Sequence, residues 1–406
     1  MSVYDLSDDS KVTTEETAFI IQHDWFELFR TDKKKTEEEE KEDVPSFFIG
    51  KRHVEEKIEF FDVYPDSGMS NFNVEDKLEV VDFNEPQRRI TLKDKANNHE
   101  TAFFAPRISY FGPHKAAILS LDGTNEANYL ASSDEHGKLL LWKTQDASVL
   151  RKMEGHIMDV NVCRFFPSGG ILLSGGMDMS VRVWAILESL PANIRTFTGH
   201  RMAVTDLAIL DEGKEVLSSS KDGSVKQWRN SDSVCVQTCQ MEAGEVRALC
   251  ILKSLNAFAA ACQNSTVVVC SHADGKHGVL MRFRMPPAYH PSAISAVNDH
   301  LLFVGTDEGA ILVIDVYEKC LVKVVKTNRG DVLRMKTIAE KKAVAASFID
   351  GSVVFYSFAN HDPIFELSTG NMDPVRDFVF VKSKFYTASR DGIVRMYMLR
   401  NGPEDE

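Results

Sequence analysis

Residues 154–184 read EGHIMDVNVCRFFPSGGILLSGGMDMSVRVW. Gly155-His156 opens the stretch, and an alternating apolar run, VNVCRFF, follows. Pro167-Ser168-Gly169 marks a turn, ILLSGG a second run, Asp178 another turn, and VRVW a third run ending at Trp184. Short alternating runs bounded by turn residues are the signature of β-strands joined by tight turns. The order recurs on either side. His114 precedes Trp142 (KLLLW) and His200 precedes Trp228 (SVKQW), each by the 28 residues that separate His156 from Trp184.

Farther along, the tryptophan is lost but its place is kept. The runs NSTVVVC, EGAILVID, DGSVVFY and DGIVRMY put Cys270, Ile314, Tyr356 and Tyr397 where the tryptophans stood. The seven closing positions, 142, 184, 228, 270, 314, 356 and 397, lie 42, 44, 42, 44, 42 and 41 residues apart. That period and these motifs resemble WD40 repeats, which build propeller blades of four strands. The expected fold is all-β: a seven-bladed WD40 β-propeller over residues 98–406, preceded by a small, mostly β N-terminal domain over residues 1–97. A lone blade cannot bury both faces, so blades stack around a channel. After Tyr397 the tail is too short and polar for another full strand. The outer strand of blade seven must therefore come from before blade one, and ETAFFAP, Glu100 to Pro106, is the expected donor.

In the N-terminal part, Ile21, Trp25 and Phe29 recur at i, i+4 and i+8, which reads as an amphipathic helix or docking segment. Residues 31–43, TDKKKTEEEEKED, read as a solvated charged linker. SFFIG, KIEFFDVY, KLEVVDF and RRITLK read as short strands.

Composition narrows the function. Lys and Arg number 47 against 60 Asp and Glu, a net charge of −13 that argues against nucleic acid as partner. No apolar stretch is long enough to span a membrane, and the polar N-terminus does not read as a secretory signal. Seven scattered cysteines suit a reducing compartment, so a monomeric cytoplasmic protein, also nuclear, is expected. Neither a metal site nor a cofactor motif is visible.

Each blade does offer Ser, His and Asp, which could be mistaken for a hydrolase triad. Blade two has His156, Ser174, Asp178 and Trp184; blade three has His200, Ser218, Asp222 and Trp228. Repetition favours a structural part, a buried hydrogen-bonded chain that locks each blade. Blade one departs from the pattern, with His136 in the aspartate's place and Asp134 as the nearby substitute. No enzyme is expected.

The residue three after the histidine should point at the channel mouth. Around the ring it reads Ala117, Asp159, Ala203, Glu245, Ala293, Asp331 and Pro374, with Asp373 beside the last. No base is among them, and Asp307 and Glu308 add charge from a neighbouring turn. Like charges gathered on a small ring repel one another, a cost that solubility does not require, so a basic partner is expected. Glu245 and Asp373 lead as contacts, with Asp159 and Asp331 next and Asp307 and Glu308 on the rim.

The stretch 154–178, with its FFPSG and LSGGMD pieces, closely resembles the proteasomal ATPase-associated factor family. The IQHDW segment, DGIVRMY and GTDEGAILVIDV are similar to it as well. The resemblance implies a chaperone for assembly of the base of the proteasome 19S regulatory particle. Such a protein binds the C-terminal domain of a base ATPase, the subunit usually numbered six, and delays its docking on the 20S core. The other reading is a WD40 scaffold or substrate receptor, of a ubiquitin ligase or chromatin complex, that binds a basic peptide.

Overall fold

The computed structural model describes residues 2–6, 13–16, 18–22, 24–27, 47–52, 58–65, 72–74, 77–96, 98–187, 192–272, 278–368 and 373–399. The charged tract 31–43 and Phe29 lie outside them.

Seven antiparallel units follow one another in the described chain. Their inner strands are Ile118–Gly123, Val160–Phe165, Val204–Leu210, Val246–Leu252, Pro291–Val297, Val332–Ile338 and Val375–Val381. Neighbouring inner strands pack against each other, the seventh against the first, so the ring is closed around a channel. The chain is a seven-bladed β-propeller, preceded by a small, mostly β segment with its own core.

The closing residues are the reason for the regular spacing. Trp142, Trp184, Trp228, Cys270, Ile314, Tyr356 and Tyr397 all lie on the third strand of a blade. They sit opposite Leu130, Leu172, Val216, Phe258, Leu302, Val344 and Phe385 of the second strand, one register throughout. All seven are buried between blades. Each full burial of a large apolar side chain contributes roughly 1.5–3 kcal/mol.

The ring closes through a different segment from the one expected. The fourth strand of blade seven is Ile108–Tyr110, antiparallel to Val394–Met398. Glu100–Phe104, within the ETAFFAP run, pairs in parallel with Pro363–Leu367 on the outside of blade six. It also pairs with Arg89–Asp94, which in turn pairs with Leu78–Asn84, so three N-terminal strands extend blade six. Packing decides between the two candidates. Phe103 is buried in the N-terminal core, whereas Tyr110 fills the seam between blades seven and one beside Trp142 and Tyr386.

Earlier strands follow the same habit. Ser2–Asp5 adds a parallel fifth strand to blade four, and Thr13–Glu15 does so on blade five. Glu16 next to it is buried against Arg329 (3.0 Å) and the Tyr356 hydroxyl, which donates to it (2.9 Å). The expected helix at Phe19–Phe29 is instead the strand Ala18–Ile21 followed by one helical turn at Trp25–Glu27. Ile21 and Trp25 are nonetheless both buried, and the Trp25 indole N–H donates to Ser368 Oγ of the propeller (3.2 Å).

Candidate partner-binding face

One end of the propeller, here the upper face, carries the loops that enter each inner strand and the turns between second and third strands. The histidine networks lie just beneath it. In blade two, His156 Nδ1 is 2.9 Å from Asp178 and Nε2 is 2.7 Å from Ser174 Oγ, which accepts from the Trp184 indole at 2.7 Å. Blade three repeats this with His200, Asp222, Ser218 and Trp228 at 3.0, 2.7 and 2.8 Å. Blade one has the same chain: His114 reaches Asp134 at 2.9 Å and Ser132 at 2.7 Å, and the Trp142 indole donates to Ser132 at 2.9 Å. Asp134, at the end of its strand, thus supplies what His136 cannot.

Chemistry sets the direction of these bonds. Carboxylate only accepts and indole only donates, so Nδ1 carries the proton and a neutral Nε2 accepts from serine. Burial depresses His200 further, which favours the neutral ring. Burial opposes the charge of Asp178, but hydrogen bonds from His156 and Ser180 prevail and hold its carboxyl at about 2. Every serine in these chains is committed to its own indole and imidazole.

The residue three beyond the histidine is fixed by a bond made in all seven blades: its carbonyl accepts the amide that begins the facing turn. These carbonyls belong to Ala117, Asp159, Ala203, Glu245, His290, Asp331 and Pro374, at 2.8–3.2 Å. Blade five therefore contributes His290, not Ala293. Its inner strand starts at Pro291, opposite Thr306, which carries Ala293 down into the core at 1% exposure.

A second ring lies one step inward. Each inner strand bulges after its first residue. A bulge re-aims the extra residue, here Leu119, Asn161, Thr205, Arg247, Ser292, Leu333 and Arg376. Asn161, Thr205 and Ser292 donate to the carbonyls of Val204, Val246 and Val332 in the next blade, at 2.6–2.7 Å. The expectation of a mouth without bases is corrected by Arg247 and Arg376, whose place in the bulge the alternation of the sequence did not reveal.

Pairing with arginine divides the acids into two classes. Asp307 is paired with Arg247 at 2.9 Å, and Asp373 is held by Arg390 at 2.8 and 3.0 Å. Glu308 accepts the His290 amide at 3.1 Å, and burial beside Asp307 raises its carboxyl. Asp159, Glu245 and Asp331 are half-buried and make no ion pair among the described residues.

Deeper in the channel the charges balance. Arg164 of blade two and Arg334 of blade six each reach both Asp206 of blade three and Asp377 of blade seven. The Arg164 distances are 3.6 and 3.0 Å, and those of Arg334 are 3.2 and 3.6 Å. Lys336 adds a bond to Asp377 at 2.8 Å, and Asp122 brings the set to three acids against three bases, all but Asp377 lining a cavity of about 350 Å³. Asp159, Glu245 and Asp331 at the mouth lie outside this balanced set.

Comparison with known proteins agrees with this geometry. Residues 147–185 and 192–229, blades two and three with the strand before them, match the WD40 family (WD domain, G-beta repeat). The propeller is of the WD40 type. The chain is 39% identical over 61 residues to the 26S proteasome regulatory subunit RPN14 of Saccharomyces cerevisiae, covering 15% of this chain and 14% of that protein. It is 32% identical over 83 residues to proteasomal ATPase-associated factor 1 of Homo sapiens, 20% of this chain and 21% of the relative. Periodic tryptophan protein 2 of Arabidopsis thaliana is 35% identical over 92 residues, 23% of this chain and 10% of the relative. The match spans no more than about a fifth of any of these three relatives.

Proposed function

We propose that the upper face binds a basic surface of another protein, the C-terminal domain of a base ATPase of the proteasome regulatory particle, with subunit six as the preferred one. The observation that carries this reading is the set of carboxylates without an ion pair among the described residues, Asp159, Glu245 and Asp331, at the mouth of a channel whose described charges balance. Likeness to a proteasome regulatory subunit and a proteasomal ATPase-associated factor supports the choice of partner. In this reading the protein is an assembly chaperone: holding the domain delays its docking on the 20S core until the ring is built. It acts by binding rather than by catalysis, in keeping with the histidine and serine pairs of blades one to three being committed to the blade locks.

The test is a titration of the full-length protein against each isolated C-terminal domain of the six base ATPases, at low and high salt. Selective, salt-sensitive binding of subunit six is expected, lost in a Glu245→Lys/Asp331→Lys variant. Asp373→Ala should weaken binding less, since Asp373 is already neutralised by Arg390. Binding of none of the six domains, with capture of a Lys/Arg-rich peptide instead, would favour a WD40 scaffold or substrate receptor.

A further inference from the structure

Charge is not the only unusual property of the upper face. Over blades one to three it exposes Phe111, Ile157, Met158, Met177, Met179 and Met202, with Ile157 85% accessible. Apart from Phe111, which shares a cavity with Asp373 and Asp391 of blade seven, these positions are neighbours in the fold. Met177 N–H donates to the Asp159 carbonyl (2.8 Å), placing the blade-two turn beside the loop that carries Ile157 and Met158. Gly137 of the blade-one turn lies against the Met158 carbonyl, where an added Cβ would come within 2.8 Å. Turn and next loop meet in the same way at Gly223 with Gly244, Gly309 with Gly330 and Gly392 with Ala116. Met179 holds the corresponding place in blade two, beside the loop bearing Met202.

That place is a costly one for methionine. Its φ is +63°, the left-handed region, and blades one, three, five, six and seven fill it with Gly137, Gly223, Gly309, Gly351 and Gly392. A side chain here is strained where glycine is not. Burial gives little back, because Met179 remains 43% exposed. An apolar residue kept in a strained, wet position is an indication of function. Methionine is also suited to an adaptable contact, being unbranched and polarizable.

We infer that this methionine patch is the apolar half of the docking surface, and that its occupant is an amphipathic helix of a second protein. The inference rests on the reading that this face takes a basic protein. Charge fixes the orientation. Lys115 on the blade-one loop and Arg201 and Lys221 on the blade-three loop and turn outnumber Asp159 at the patch and disfavour a basic flank there, whereas Glu242, Glu245 and Asp331 lie on blades four and six. The helix lays its apolar ridge over blades two and three and its Lys/Arg flank over blades four to six.

Two probes separate the inference from the reading beneath it. One is the six ATPase domains; the other is a synthetic leucine/lysine helix about five turns long, with a control in which serine replaces leucine. The full-length protein is compared with an Ile157→Ser/Met158→Ser/Met202→Ser variant and with Met179→Gly. The triple variant should lose about tenfold or more in affinity for a bound ATPase domain and for the leucine/lysine helix. Met179→Gly should weaken binding several-fold while raising Tm, a pairing that a purely structural residue would not give. An ATPase domain that binds the triple variant as tightly as the parent overturns the patch and leaves the proteasome reading standing. Methionine-dependent binding of the leucine/lysine helix alone keeps the patch and removes the proteasome partner. Binding of neither probe overturns both, and self-association lost in the triple variant would make a second copy the occupant and overturn the helix.

Discussion

At the scale of single residues, three blades are held by one hydrogen-bonded chain, and its cost of disruption is predictable. Ser174→Ala leaves the buried Trp184 indole and His156 Nε2 without their shared partner, a loss of about 1–3 kcal/mol in urea unfolding. Ser132→Ala should cost as much, because the same bonds recur in blade one, at 2.7 Å from imidazole and 2.9 Å from indole, although the turn sequence differs. The aspartates add a pH dependence. Asp178 and Asp222 are both held near 2 in the folded protein, against about 4 when unfolded. The unfolded carboxyls take up protons first, so their contribution is complete above about pH 4 and is lost as the pH falls toward 2. The stability gap between the parent and Asp178→Asn should therefore be largest near neutral pH and narrow by pH 3 in the same assay. His156, Ser174 and Trp184 were legible from spacing alone. Asp134 was less so, since it ends a strand instead of occupying the turn.

At the scale of elements, the repeats were plain and the joins between them were not. Seven equal intervals announce seven blades because each closing side chain must fill the same gap. The strand that shuts the ring carries no such periodic mark. ETAFFAP is the more apolar of the two candidate segments, and it is apolar because it serves the N-terminal core. Ile108–Tyr110 has only three paired residues and works through one side chain. The Tyr110 ring packs edge-on to Trp142 at 5.2 Å, and its hydroxyl donates to the Thr144 carbonyl of blade one at 2.8 Å. Tyr110→Ala should cost roughly 3–5 kcal/mol, as for other large buried aromatics. The loss should appear first as local opening between blades seven and one, read by hydrogen exchange at Val394–Met398. Equal exchange in all blades of that variant would count against a closing role for this strand. The misplaced Ala293 has a related cause: with Pro286 and Pro287 in its entry loop, blade five is not aligned by counting from its neighbours.

At the scale of the whole molecule, the propeller joins distant blades through charge as well as through neighbour packing. Arg164, Asp206, Arg334 and Asp377 form a closed cycle of ion pairs that brings blades two and three to blades six and seven. A buried pair offers little net stability over an apolar filling, yet removing one member strands its partners. Asp377 is the critical member. Burial raises the energy of its charge, and Lys336, Arg164 and Arg334 together outweigh that and hold the carboxyl well below the ordinary range. Asp377 also accepts from Ser120 Oγ at 2.7 Å and from the Leu121 amide at 3.1 Å. Asp377→Ala should thus cost about 3–5 kcal/mol. Adding Arg164→Ala should cost less than the sum of the two single changes, because each removes an already stranded charge. The cycle is buried, so these losses should be nearly independent of salt, whereas partner binding at the mouth should weaken steeply as salt is raised. Denaturation and binding followed over one salt series would separate the two sets of charges. If Asp377→Ala instead left stability intact, the blades would be independent of this cycle.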